Sequence, residues 1–111
     1  MQVTVETKDE LMILKVEGRM IFGEPLYELR NHIQKALTAG VKRFVLDISG
    51  VTYLDSSACG ELISIHTSIV KAQGLLAVVN PQERVRTLLV RIKLTQILNI
   101  VATIDQAQAS L

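Results

Sequence analysis

The chain has 111 residues, 49% apolar and 21% charged, which are globular values and exclude a disordered linker. With 12 Lys and Arg against 11 Asp and Glu, the net charge of +1 offers no clustered basic face for a nucleic-acid backbone. A lone cysteine forms no internal disulfide, no basic-then-apolar leader opens the chain, and no apolar run nears the ~20 residues of a membrane helix. We therefore expect one cytoplasmic domain over residues 1–111, with no membrane and no direct nucleic-acid partner. Aromatic content of 4%, without Trp, leaves few rings to line a cofactor site, and no cofactor is expected.

Val3 and Val5 alternate with Thr4 and Glu6, and Met12, Leu14 and Val16 alternate with Ile13, Lys15 and Glu17. The polar cluster Lys8-Asp9-Glu10 between them predicts a hairpin with strands near 2–8 and 11–17, ended by Gly18. Pro25 suits the first turn of a helix, where a missing N–H costs nothing. From there Leu26, Leu29, Ile33 and Leu37 fall at helical spacing, flanked by His32 and Ala36, until Gly40 caps the helix.

Phe44 to Ile48 is a short, nearly continuous apolar run, the pattern of a strand buried on both faces, here near 43–48. Val51 to Leu54 reads as a loop, and a second helix starts at Asp55. Its expected inward stripe is Cys59, Leu62, Ile63, His66, Ile69 and Val70, closed by Gly74. A strand at 75–79 follows, then a third helix from Asn80-Pro81 through Val85, Leu88, Leu89 and Ile92. A strand near 98–101 and a short helix from Asp105 complete the chain. Strands alternating with helices imply right-handed crossovers and parallel pairing, and the hairpin makes the sheet mixed.

The stretch Asp55-Ser56-Ser57-Ala58-Cys59-Gly60 is the chemically unusual one. Asp55 is a good N-cap, able to accept from the amide of Ser57 or Ala58, which leaves both serines in the first turn. There the helix dipole favours added negative charge by ~0.3–1 kcal/mol, although the Asp55 carboxylate opposes it. Taken alone, the run is also an ordinary capping sequence. Gly60 costs roughly 1 kcal/mol against alanine in a helix, and close approach of another backbone or of a partner is the usual reason. The small patch of Ser56, Ser57, Ala58 and Gly60 suits protein docking better than catalysis.

Other readings are weaker. His32 and His66 lack companions at metal-ligand spacing, so no metal is expected. Cys59 reads as a small core residue, despite a position where the dipole can lower a thiol pKa. Ser56 lacks the Gly-x-Ser-x-Gly context of a hydrolase nucleophile, and His66 lies ~15 Å away along the helix at ~1.5 Å per residue. No enzyme activity is expected. Arg84, Arg86, Arg91 and Lys93 form either a solvated face or a rim for an acidic partner.

From the strand ending Val45-Leu46-Asp47-Ile48, through Val51-Thr52-Tyr53-Leu54, to Asp55-Ser56-Ser57 opening a helix, the chain resembles the STAS domain family. More narrowly, it resembles the bacterial anti-sigma factor antagonists. The resemblance covers the whole chain and implies an α/β, STAS-like single domain. Its mixed sheet would have about five strands, with about four helices packed mainly on one face. It also implies that Ser56 (alternatively Ser57) is phosphorylated by an anti-sigma factor that is a serine kinase of GHKL type, and dephosphorylated by a phosphatase. The unphosphorylated form would bind that anti-sigma factor and free a sigma factor, through Asp55, Ser56, Ser57, Ala58, Gly60 and Glu61. A monomer or weak homodimer is expected. A non-switching STAS adaptor, in a transporter-ATPase or a stressosome-like scaffold, is the alternative. Two positions depart from the family pattern. Ala58 stands where many antagonists carry glycine, and Gly18 is followed by Arg19-Met20-Ile21-Phe22, so that Glu24 is the first acid after it.

Overall fold

A two-residue turn opens the fold. Asp9 (φ 52°) and Glu10 (φ 62°) both take left-handed backbone, the geometry that matches the twist of a tight hairpin. They join β1 (Gln2–Lys8) to β2 (Leu11–Met20) as an antiparallel pair in the computed structural model, which describes residues 1–111. The chain continues through α1 (Glu24–Thr38), β3 (Arg43–Leu54), α2 (Ser56–Lys71), β4 (Leu75–Val79), α3 (Glu83–Arg91), β5 (Asn99–Val101) and α4 (Ile104–Ser110). A single turn of 3-10 helix at Leu94–Gln96 links α3 to β5. The sheet order is β1-β2-β3-β4-β5, with every pair after the hairpin parallel.

The larger core lies between the sheet and α1, α2 and α3. Leu26, Leu29 and Ile33 of α1, Leu62, Ile65 and Ile69 of α2, and Val85 and Leu89 of α3 meet Leu14, Phe44, Leu46 and Val78 there. Burying each such side chain contributes about 1.5–3 kcal/mol. On the opposite face a smaller cluster packs Leu11, Ile13, Val45, Ala77 and Val79 under Ala107 of α4. Three helices thus cover one face and one short helix the other, as the mixed α/β reading predicts.

Four local expectations are corrected. Gly18 does not end β2, and Val51–Leu54 is strand rather than loop: the two segments pair in parallel as far as Met20 with Leu54. Register shifts between Lys15 and Glu17 and between Gly18 and Arg19 break the alternation that would have revealed this pairing. Gly50 makes one of these crossings feasible, because a Cβ there would sit 2.8 Å from Cγ of Glu17. The inward face of α2 is Ala58, Glu61, Leu62, Ile65 and Ile69, so Leu62 and Ile69 are as expected whereas Ile63 and Val70 are exposed. Apolar residues surround this helix, so spacing alone does not choose a face. Cys59 and His66 sit half-buried at its margin. The third helix begins at Glu83, because Asn80 takes left-handed backbone (φ 50°) and holds the chain out of helix, and Ile92 lies beyond its end, exposed.

Candidate functional site

The C-terminal end of β3 passes directly into α2, with Asp55 as the single residue between them. Asp55 is extended (φ −94°, ψ −179°), and its Oδ1 accepts from the backbone N–H of Ala58 at 2.9 Å. Its Oδ2 accepts from the backbone N–H of Phe22 at 2.9 Å, and its own N–H donates to the carbonyl of Met20 at 3.1 Å. Asp55 is therefore more than a helix cap: it fastens the β2–α1 loop to the start of α2. These amide donors, Phe22 foremost and then Ala58, hold its carboxyl below the usual carboxylate range.

Ser56 is exposed at the first position of α2 and Ser57 is half-buried beside it. Gly60, one turn on from Ser56, is exposed too, and a Cβ there would meet nothing within 4 Å. No internal close approach accounts for this glycine. Asp55, Ser56, Ser57 and Gly60 thus share one accessible corner.

Ala58 and Glu61 are different. Ala58 is fully buried in the main core, and Glu61, only 4% exposed, turns inward to a bidentate pair with Arg30 of α1. Arg30 Nε donates to Glu61 Oε1 at 2.8 Å, and Nη2 donates to Oε2. Neither residue offers its side chain to a partner, which corrects their expected place in the contact surface. The Arg30–Glu61 pair instead ties α1 to α2, one turn below the serines.

The site also has a rim that its own segment does not reveal. Phe22 is 69% exposed, and its ring meets that of Tyr27 edge-on at 6.3 Å. The guanidinium of Arg30 lies 5.7 Å from the Tyr27 ring centre, and that of Arg19 lies 5.4 Å from the Tyr53 ring centre. All of these lie in or beside the segment after Gly18, in which Glu24 is the first acid. An aromatic and cationic rim stands in that region.

Burial pushes the Cys59 thiol upward, with the Asp55 charge adding to the effect, so the helix dipole does not activate it. His32 and His66 are half-buried, and no three His, Cys, Asp or Glu side chains come together. No helix is long and apolar enough to cross a membrane.

A family model described as the STAS domain matches residues 2–107. The chain belongs to the STAS domain family. A Thermotoga neapolitana protein described as a candidate anti-sigma factor antagonist is 34% identical over 94 residues, spanning 85% of this STAS domain and 78% of the relative. The crystal structure of a Thermotoga maritima candidate antagonist superposes with a TM-score of 0.89 at 26% identity, covering 97% of this chain and 92% of that one. The Bacillus cell-fate determinant SpoIIAA in its phosphorylated form matches with a TM-score of 0.77 at 17% identity over 98% of each chain, which is a likeness of fold. The five-stranded mixed sheet and four helices are those of the STAS fold.

Proposed function

We propose that this STAS domain is a cytoplasmic anti-sigma factor antagonist, a binding protein rather than an enzyme. Its unphosphorylated α2 corner docks an anti-sigma factor of the GHKL serine-kinase type and frees a sigma factor. Phosphorylation of Ser56 ends the contact and a phosphatase restores it. The observation that carries this reading is the accessible start of α2: an exposed serine beside a fixed Asp55, with open space at Gly60. The Thermotoga relatives supply the class of partner.

Charge is what makes the switch work. Phosphate adds about −1.5 to −2 charge, and a unit-charge pair ~5 Å apart repels by roughly 3 kcal/mol at an effective dielectric of ~20, before screening. Against an acidic group on the partner, that weakens binding ~100-fold, since each 1.4 kcal/mol is a factor of ten. Asp55 leaves the helix start already occupied by one carboxylate, so the dipole does not cancel the added charge.

Calorimetry of the anti-sigma factor with Ser56→Ala and Ser56→Asp tests the reading at two ionic strengths. Alanine should bind as wild type does and aspartate ~10-fold or more weakly, with part of the loss recovered in salt. Kinase and ATP should add one phosphate to wild type and none to Ser56→Ala. Equal binding by both variants would reduce Ser56 to a helix-start residue. Labelling that persists in Ser56→Ala and vanishes in Ser57→Ala would move the site to Ser57.

A further inference from the structure

β3 is more than twice as long as its neighbour β4. β4 pairs only with Arg43–Asp47 and ends at Val79, while β3 runs on to Leu54 with β2 alone beside it. The ladder positions of β3 that face away from β2 beyond Asp47 therefore meet no strand. One polar side chain reaches in: Gln82 Nε2 donates to the carbonyl of Ser49 at 3.0 Å. From Thr52 onward, the open edge borders a groove of about 850 Å³ whose facing wall is α3. Thr52, Tyr53 and Leu54 line one side, and Arg84, Thr87, Leu88 and Arg91 line the other.

The charge of the groove is the second observation. Arg84 and Arg91 stand two turns apart on one face of α3, about 10 Å along the axis at ~1.5 Å per residue. Neither makes a salt bridge: the ion pairs of the molecule are Lys15–Glu17 and Arg30–Glu61. Arg19, whose guanidinium lies against the ring of Tyr53, belongs to a separate hollow with Ile21, Phe22 and Pro25 and adds no charge to the groove. Glu83 is the one carboxylate lining the groove. Unpaired arginines beside an unpaired strand edge match one kind of ligand, an extended chain with backbone groups to share and carboxylates to place.

We propose that this groove binds an extended acidic segment of a partner protein by adding it as a strand along the free edge of β3, with its carboxylates on Arg84 and Arg91. Main-chain hydrogen bonds to β3 supply affinity, and alternate side chains facing α3 supply specificity. Carboxylates on one face of an extended chain, two or four positions apart, are roughly 7 or 13 Å apart at ~3.3 Å per residue, which brackets the ~10 Å axial offset of Arg84 and Arg91. The proposal stands apart from the Ser56 switch, since it needs neither the serine nor its phosphate.

The test is a titration of the isotope-labelled domain with a blocked eight-residue peptide of alternating Glu and Val, using a Lys-Val peptide of equal length as the control. The acidic peptide should produce saturable amide shifts at Thr52, Tyr53 and Leu54 and along α3, and slow the hydrogen exchange of those β3 amides that face away from β2. The basic peptide should not. Arg84→Glu with Arg91→Glu should weaken binding ~10-fold or more, and Arg86→Glu, which lies outside the groove lining, should leave it unchanged. Both arginines are exposed and unpaired, so the double variant should unfold at the wild-type temperature, which separates lost binding from lost structure. Shifts at β1 (Gln2–Lys8) instead of β3, equal binding of the two peptides, or an unaffected double variant would overturn the proposal.

Discussion

The backbone N–H of Phe22 donates to Oδ2 of Asp55 at 2.9 Å, joining residues 33 apart in sequence. The other oxygen of the same carboxylate caps α2 through Ala58. One side chain thus couples the loop carrying an exposed aromatic ring to the helix start carrying Ser56. A change in the charge of Asp55 reaches both.

The first prediction follows from that carboxylate. Its pKa is lowered in the folded chain by the amides of Phe22 and Ala58. The stability it contributes is therefore fully present above the unfolded value of ~3.9 and lost as pH falls through the folded one. Asp55→Asn keeps a capping side chain but has no charge to lose. Urea midpoints from pH 6 down to pH 2 should show wild type falling toward the Asn variant below about pH 4. Parallel curves would mean that the two amide contacts do not favour the ionised form.

The second concerns the link between α1 and α2. Removing Arg30 leaves Glu61 nearly buried without its partner, and an unsatisfied buried group costs about 1–3 kcal/mol. Arg30 is itself half-exposed, and water reaching the site places Arg30→Ala near the lower end of that range. Replacing both, as Arg30→Met with Glu61→Leu, should recover most of the loss, because an apolar pair leaves nothing unsatisfied. A double variant as unstable as Arg30→Ala, measured by denaturant unfolding, would show that packing and not the ion pair holds the helices.

What was legible in the sequence was mostly local. The hairpin could be read because turn residues and alternation sit next to one another, and the Asp55 cap because its acceptor and donor are three residues apart. The contacts of Phe22 with Asp55 and Arg30 with Glu61 were not legible, since they join residues 33 and 31 apart and leave no periodic trace. Glu61 shows the consequence: an acid beside a serine patch reads as surface until its partner helix is in place. The second half of β3 stayed hidden because two register shifts disrupt its alternation. The inward face of α2 was half-readable, since Ile63 and Val70 are as apolar as the residues it buries.

A third prediction concerns Cys59. It is half-buried against the main core, and burial raises its thiol pKa, so little thiolate is present near neutral pH. A disulfide reagent should react slowly with native protein and quickly in denaturant. Cys59→Ala should cost about 1 kcal/mol or less, within the ordinary range for a partly buried site. Rapid labelling of the native domain would place the thiol in solvent.

The last prediction sets stability against binding at Gly60. This glycine lies inside α2, is exposed, and has open space where a Cβ would stand. In a helix, alanine is favoured over glycine by up to ~1 kcal/mol, so Gly60→Ala should raise the stability of the isolated domain by about 0.5–1 kcal/mol. Gly74→Ala is the contrasting control, because its Cβ would sit 2.8 Å from the carbonyl oxygen of Lys42 and 2.9 Å from Cγ2 of Ile69. That variant should be destabilised. If the corner of Ser56 and Gly60 is where a partner's backbone approaches, Gly60→Ala should also weaken anti-sigma factor binding while the domain itself becomes more stable. A more stable domain that binds less well has no folding explanation, so the pair of measurements isolates the contact. Unfolding in urea and calorimetry on the same preparation provide both numbers. Unchanged affinity in the stabilised variant would place the docking contact away from this turn of α2.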